Sequence, residues 1–185
     1  SVTEVHAWTN RPIWPQGIET VPLPEKVPDT LDWDVWLGPA ASRPYTSGGP
    51  EYAEEQYGFY LPFNWRGFFD FGCGALGDMA CHTMDCMFWA LDPGQPTVIE
   101  PLAATLLNDE TYPSATVVRW EFPARGGRPA FKAYWYDGGL KPPFPPDLEN
   151  DRRLPKTGNL FLGTKAALLI QGDYADSPRI FPESK

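Results

Sequence analysis

The chain has 185 residues, of which 42% are hydrophobic and 21% charged, a composition typical of a chain that folds around a core. Its formal net charge of −9 argues against nucleic acid and anionic membranes as partners, because binding to phosphate requires a basic surface. No run approaches the roughly 20 apolar residues of a membrane span. The 22 prolines and eight tryptophans favour long, packed loops on a β-rich scaffold.

The first predicted element is a strand over residues 2–11, where side chains alternate in the manner of a half-buried strand. Prolines end this strand and recur through a connector over residues 12–30. A short helix over 31–37 is expected next, with Asp29 or Thr30 as its N-cap.

One central helix is predicted over residues 75–91, entered through the glycine-spaced turn 72–74. Asp78, His82 and Asp85 fall at i, i+4 and i+7, so they should project from one face of this helix. Burying a carboxylate and an imidazole one turn apart on so apolar a helix is unfavourable unless the two groups are paired with other polar groups or take part in the function. This helix is therefore the main candidate for a functional site.

After the helix the hydrophobic period changes from about 3.6 residues to about 2, which predicts strands. The predicted strands cover residues 97–107, 115–122, 130–136, 159–162 and 167–171. Loops are expected over residues 40–62 and 142–155, and no element is predicted over 172–185. One helix beside several strands, without βαβ alternation, predicts an α+β fold. The expected sheet is open, mixed and mostly antiparallel, with the central helix and the long proline-rich loops on one face.

Five motifs follow one another along the chain and together are specific. They are LDWDVWLGPA (31–40), RPY (43–45), FNWRGFFDFGCGALGDMACHTMDCMFWAL (63–91), WYDGG (135–139) and GNLFLGTKAALL (158–169). This series resembles the C-terminal domain of the Gfo/Idh/MocA oxidoreductases, the superfamily of glucose–fructose oxidoreductase, inositol dehydrogenase and MocA. The resemblance is strongest to a bacterial, sugar-directed branch of that superfamily.

The resemblance implies a two-domain protein whose N-terminal Rossmann half binds NAD(P) and supplies a lysine from a Glu-Lys-Pro motif. The C-terminal half carries an Asp-x-x-x-His pair, which Asp78 and His82 match residue by residue. No GxGxxG follows a strand here, and Glu25-Lys26 is followed by Val27. Residues 1–185 are therefore expected to be a substrate-binding and oligomerisation domain without its Rossmann half. NAD or NADP would then bind to the intact protein, with none expected on this fragment.

Oxidation of a sugar hydroxyl needs a base for the hydroxyl proton, and histidine titrates near neutral pH. The resemblance implies that His82 is this acid–base group and that Asp78 orients it or binds a substrate hydroxyl. The alternative is that Asp78 interacts with the helix N-terminus while His82 is a core residue. Asp85 would either bind a substrate hydroxyl or form a salt bridge to Arg66 or Arg11.

A second group of substrate-binding candidates comes from the end of the first strand and the residues that follow it. Trp8, Asn10, Arg11 and Trp14 offer aromatic faces and polar donors, the combination that sugar recognition requires. An equally good interpretation is that the two tryptophans fill the space between the sheet and the proline-rich connector. Arg66 is also a candidate for binding substrate, although an arginine beside a tryptophan more often braces a loop.

No metal site is expected, because the sequence has neither a CxxC nor an HExxH motif. A disulfide between Cys81 and Cys86 is not expected either, because their side chains point in different directions on the predicted helix.

Two alternative functions use the same predicted structure. One is an NAD-dependent glycosidase that acts by oxidation and elimination. The other is a module without activity of its own, which joins copies into a homo-oligomer through the open sheet. The sugar, the reaction direction and a cytoplasmic or periplasmic location are left open by the sequence.

Overall fold

A computed structural model describes residues 1–49, 58–145, 148 and 153–182. The loops predicted over 40–62 and 142–155 therefore lie partly outside the described residues. No helix within the described ranges is long and apolar enough to cross a membrane.

The described residues form seven strands and three short α-helices. The strands are β1 (Val2–Trp8), β2 (Val98–Thr105), β3 (Ala115–Phe122), β4 (Phe131–Tyr136), β5 (Gly158–Gly163), β6 (Ala167–Gln171) and β7 (Asp176–Phe181). The helices are α1 (Trp33–Leu37), α2 (Gly74–Thr83) and α3 (Asp85–Leu91), and Asn64–Gly67 form a turn of 3₁₀ helix. The predicted α+β class is confirmed.

The strands form one mixed sheet in the order β2-β3-β4-β1-β5-β6-β7. β1 runs parallel to β4, and the other neighbouring pairs are antiparallel. The first strand of the chain thus lies in the middle of the sheet, with neighbours from much later in the sequence. This central position explains why Val5, Ala7 and Trp8 are fully buried.

One face of the sheet is covered by α2 and α3. Side chains of β1, β4 and β5 that point to this face pack against methionines of the helices and of the break between them. This cluster includes Val5, Ala7, Ala133, Trp135, Phe161, Met79, Met84 and Met87. Flexible methionine side chains fill the irregular space between a twisted sheet and short helices.

The opposite face of the sheet has a second cluster, which includes Trp8, Tyr136 and Leu160. Leu154, from the proline-rich tract after β4, belongs to this cluster, whereas Trp14 from the first proline-rich connector joins the helix-side cluster. Trp14 and Leu154 thus anchor these two segments in different clusters, and the predicted placement of the loops on one face stays a prediction.

The predicted single central helix is interrupted at Met84. The backbone N–H of Met87 donates to the carbonyl of Met84 at 2.9 Å, three residues earlier instead of four. The carbonyl of Thr83 accepts instead from the side-chain amide of Asn159 at 2.8 Å. Asp85 consequently begins a second helix, α3.

Three further details differ from the sequence prediction. Strand β1 ends at Trp8, three residues before its predicted end. The N-cap of α1 is Asp32, whose carboxylate accepts the N–H of Val35, and not Asp29 or Thr30. Strand β7, in which five of six side chains are exposed, was not predicted, because its sequence DSPRIF does not alternate between apolar and polar residues.

Candidate functional site

Helix α2 presents Asp78 and His82 one turn apart. His82 is exposed, and its ring meets the ring of Tyr174 edge-on, with 5.3 Å between the ring centroids. The adjacent residues Met79 and Thr83 are buried, which fixes the face of α2 that packs against the sheet. His82 therefore does not have the environment of a core histidine.

The carboxylate of Asp78 is held by Arg66, which lies in the 3₁₀ turn before α2. The Nε of Arg66 donates to Oδ1 of Asp78 at 3.1 Å, and its Nη1 donates to the carbonyl of Phe63 at 3.0 Å. The guanidinium also lies 4.5 Å from the ring centroid of Phe63 and 5.9 Å from that of Trp14. A planar guanidinium held by a carboxylate and two aromatic rings has a fixed orientation.

Gln16 connects Trp14 to the first turn of α2. Its Oε1 accepts from the indole N–H of Trp14 at 2.7 Å and from the backbone N–H of Ala75 at 2.9 Å. Its Nε2 donates to the carbonyl of Pro113 at 2.6 Å. Because the side chain of the N-cap residue Cys73 makes no capping hydrogen bond, Gln16 supplies that bond from a distant segment.

The structure thus brings Trp14, Arg66 and Asp78 together beside His82. Asn10 and Arg11 belong to a different hydrogen-bonded group at the end of β1. There Oδ1 of Asn10 accepts from Nη1 of Arg11 at 2.7 Å and from the hydroxyl of Thr157 at 3.1 Å.

Trp8 lies on the face of the sheet opposite the helices and is 0% exposed. Its indole N–H donates to the carbonyl of Pro155 at 2.9 Å. A ring with no exposed surface offers no platform for a sugar, so Trp8 is not included in the candidate site.

Asp85 is exposed at the start of α3 and borders a pocket of about 380 Å³. The pocket is lined mainly by apolar side chains of α2, α3 and β3. Arg66 pairs with Asp78 and not with Asp85. Asp85 can therefore serve as a polar group at the rim of an apolar pocket.

The glycine-spaced turn before α2 is filled by protein atoms. A Cβ at Gly72 would lie 2.6 Å from the backbone of Arg66, and one at Gly74 would lie 2.6 Å from the ring of Tyr112. Gly74 also has a φ of +65°, a conformation that favours glycine. A phosphate-binding turn needs open backbone N–H groups, and that of Ala75 is already bonded. This turn therefore does not fit the phosphates of a dinucleotide.

The cysteines and acidic side chains do not form a metal centre within the described ranges, where no three His, Cys, Asp or Glu groups are placed to hold an ion. The three cysteines are free thiols. Cys73 and Cys81 are exposed, whereas Cys86 is half-buried, and this burial raises the pKa of its thiol.

Asp78, His82, Arg66 and Trp14 were predicted as site residues from the sequence, whereas Gln16 was not. No local signal marks this glutamine, because its partners lie at distant positions of the chain. Asn159, whose amide holds the end of α2, was missed for the same reason.

A comparison with protein families gives one match, over residues 2–110, to the Gfo/Idh/MocA model described as "Oxidoreductase family, C-terminal alpha/beta domain". The match covers more than half of the chain and includes β1, α2, α3 and the residues of the candidate site. A comparison with curated proteins finds no match. The chain therefore belongs to the Gfo/Idh/MocA oxidoreductase family and contains its C-terminal alpha/beta domain.

Proposed function

We propose that this chain is the substrate-binding and oligomerisation domain of an NAD(P)-dependent oxidoreductase that acts on a sugar hydroxyl. The observation that supports this best is the arrangement on α2, where an exposed His82 lies one turn from a carboxylate that Arg66 holds in place. An ion pair one turn from an accessible imidazole suits a site that both binds and deprotonates a hydroxyl group.

In this proposal His82 takes the proton of the substrate hydroxyl during oxidation and returns it during reduction. Within the described part of the chain, Oδ1 of Asp78 is engaged by Arg66, while Oδ2 has no hydrogen-bond partner and is left for a second substrate hydroxyl. The half-buried ring of Phe63 would support the sugar ring beside the guanidinium of Arg66. Trp14 is only 6% exposed, so its ring positions the guanidinium and offers no platform for a sugar.

A nicotinamide cofactor is implied by the family and would supply the hydride chemistry. Because the turn before α2 is filled by Arg66 and Tyr112, residues other than those of this turn would have to bind its phosphates. A Rossmann half in the N-terminal part of the intact protein would provide them, as the description of the matched region as a C-terminal domain supports. The roles of Asp78 and His82 concern the substrate alone.

The decisive experiment is the variant His82→Ala in the intact, cofactor-bearing protein, assayed with a panel of free aldoses and aryl glycosides. We expect kcat to fall by at least about 100-fold, the range for loss of a general acid–base group. The control is Cys81→Ser, which changes the exposed neighbour and should leave kcat near that of the wild type. A His82→Ala variant with full kcat would remove His82 from the mechanism. Cleavage of an aryl glycoside would indicate oxidation followed by elimination in place of simple oxidation.

Self-association is supported by the uncovered edge of the sheet. Seven of the eight side chains of β2 are exposed, among them Ile99 and Leu102, which are 63% and 46% exposed. An edge strand with apolar side chains and unpaired backbone groups favours contact with another chain. Light scattering should show an oligomer that Ile99→Lys weakens, whereas Val35→Lys, at an exposed apolar position of α1, should have no effect. A wild-type chain that stays monomeric at high concentration would contradict this part of the proposal.

A further inference from the structure

We propose that Asn159 is a positioning residue of the site on α2. Its side-chain amide fixes the break between α2 and α3, and thereby the placement of His82 relative to Asp85. The importance of this placement for catalysis rests on the function proposed above, but the structural role can be tested without any assay of activity.

The hydrogen bonds at the break between α2 and α3 depend on the side chain of Asn159. In a continuous helix the N–H of Met87 would donate to the carbonyl of Thr83. Here it donates to Met84, which leaves the carbonyl of Thr83 to be satisfied from elsewhere. The Nδ2 of Asn159 donates to it at 2.8 Å, and the thiol of Cys86 approaches it at 3.6 Å. The amide therefore replaces the backbone bond that the break removes.

The amide of Asn159 is carried by β5, a strand that has neighbours on both sides. Asn159 lies in β5, is 0% exposed, and pairs with Ala7 of the central strand on one side and with Ile170 of β6 on the other. Since its backbone is held from both sides, the amide ties the end of α2 to the middle of the sheet. The sheet thus defines where α2 ends.

The hydrogen bonding around Asn159 does not maximise the stability of the fold. Within the described residues, Oδ1 of Asn159 and the hydroxyl of Thr83 are buried and have no hydrogen-bond partner. Buried polar atoms without partners are unfavourable, and an apolar side chain of similar shape at position 159 would remove one of them. A buried amide with only its donor used is better explained by the carbonyl that it holds in place.

The break separates two residues of the candidate site, His82 and Asp85. His82 immediately precedes Thr83, and Asp85 is the first residue of α3. Without the amide, the carbonyl of Thr83 can regain a partner if the chain continues as one helix and Met87 donates to it. That change would rotate Asp85 relative to His82.

The test uses the histidine ring signals of the isotope-labelled chain in NMR spectra, because the chain has only two histidines. The variants are Asn159→Leu, which is apolar, and Asn159→Asp, which has the same shape but no N–H donor. We expect both to shift the ring signal of His82 and to weaken its contact with Tyr174. The signal of His6, on the opposite face of the sheet, should stay in place.

The matched control is Leu169→Ala, which removes buried apolar atoms from the opposite face and destabilises the fold without touching the break. It should leave the His82 signal unchanged. An unchanged His82 signal in a folded Asn159 variant would overturn the proposal. So would the absence, in the wild type, of a scalar coupling between the Asn159 side-chain nitrogen and the Thr83 carbonyl carbon, a measurement that needs no variant to fold. Failure of the function proposed above would appear separately, as full kcat in His82→Ala.

Discussion

The side-chain oxygen of Gln16 accepts the backbone N–H of Ala75 at 2.9 Å, although the two residues are 59 positions apart. The first N–H groups of a helix have no partner within it, and Gln16 provides one from the proline-rich connector. The same oxygen holds the indole of Trp14, on which Arg66 is placed. The connector after β1 is therefore part of the support of the candidate site.

Replacing Gln16 by alanine should lower the free energy of unfolding by about 1–3 kcal/mol, because the buried N–H of Ala75 and the half-buried carbonyl of Pro113 lose their hydrogen bonds. Urea unfolding followed by tryptophan fluorescence measures this change. Gln16→Glu keeps the acceptor for the N–H of Ala75 but loses the donor to the carbonyl of Pro113. Its free energy of unfolding should therefore fall by less than that of Gln16→Ala. Equal stability of Gln16→Ala and the wild type would show that solvent replaces these bonds.

Six of the seven described strands were predicted from a hydrophobic period of about 2, whether the strand is mostly exposed, as β2 is, or mostly buried, as β5 is. β3 and β6 have the predicted bounds, and the ends of β2, β4 and β5 differ from the prediction by one or two residues. The residues of β7, DSPRIF, lack this period, so β7 was not predicted. The parallel pairing of β1 with β4 also left no trace in the sequence, because it joins segments more than 100 residues apart.

The pair on α2 was predictable because helix geometry alone places residues i and i+4 on one face. The break after Thr83 was not, because it depends on Asn159 from β5. Asp85 was consequently predicted on the same helix as Asp78. The choice of Asp78 as the partner of Arg66 depends on the path of the 3₁₀ turn, which local sequence does not define.

The ion pair between Arg66 and Asp78 should contribute little to stability. Their side chains are 31% and 27% exposed, and pairs that remain accessible to solvent contribute about 0–1 kcal/mol. A double-mutant cycle with Arg66→Ala and Asp78→Ala, measured by urea unfolding, should therefore give a coupling energy below about 1 kcal/mol. In the intact protein, Arg66→Lys should nevertheless raise KM for the sugar, because lysine keeps the charge but not the planar contacts. A large coupling energy with unchanged KM would make the pair structural.

His6 should make the fold less stable in mild acid. Its Nδ1 lies 3.1 Å from the hydroxyl of Tyr136, its Nε2 lies 3.3 Å from Glu4, and its ring stacks on Tyr134. Burial lowers the pKa of His6 below its ordinary value of 6.5, although Glu4 opposes this shift, and burial raises the pKa of Tyr136 to about 12. The folded chain therefore favours the neutral imidazole.

The sign of the pH effect follows from proton binding. Between the lowered pKa of folded His6 and 6.5, the unfolded chain binds more protons than the folded chain, so stability falls as the pH is lowered through this window. Above pH 6.5 the contribution of His6 is constant. The stability difference between the wild type and His6→Phe should thus shrink between about pH 7.5 and about pH 5.5. A constant stability difference between the wild type and His6→Phe over this pH range would contradict the prediction.

Cys86 should react with iodoacetamide more slowly than Cys73 and Cys81. It lies on α3, is half-buried and lines an apolar pocket of about 380 Å³, and this burial raises the pKa of its thiol. Because the thiolate is the reacting species, a raised pKa and restricted access both lower the rate. Mass spectrometry of peptides after timed labelling near pH 8 measures the three rates separately. The same experiment in denaturant should make the rates similar, which separates the effect of the fold from that of the local sequence. Equal labelling rates in the folded chain would mean that α3 opens readily. The orientation of α3 relative to α2 at Met84 would then not be fixed.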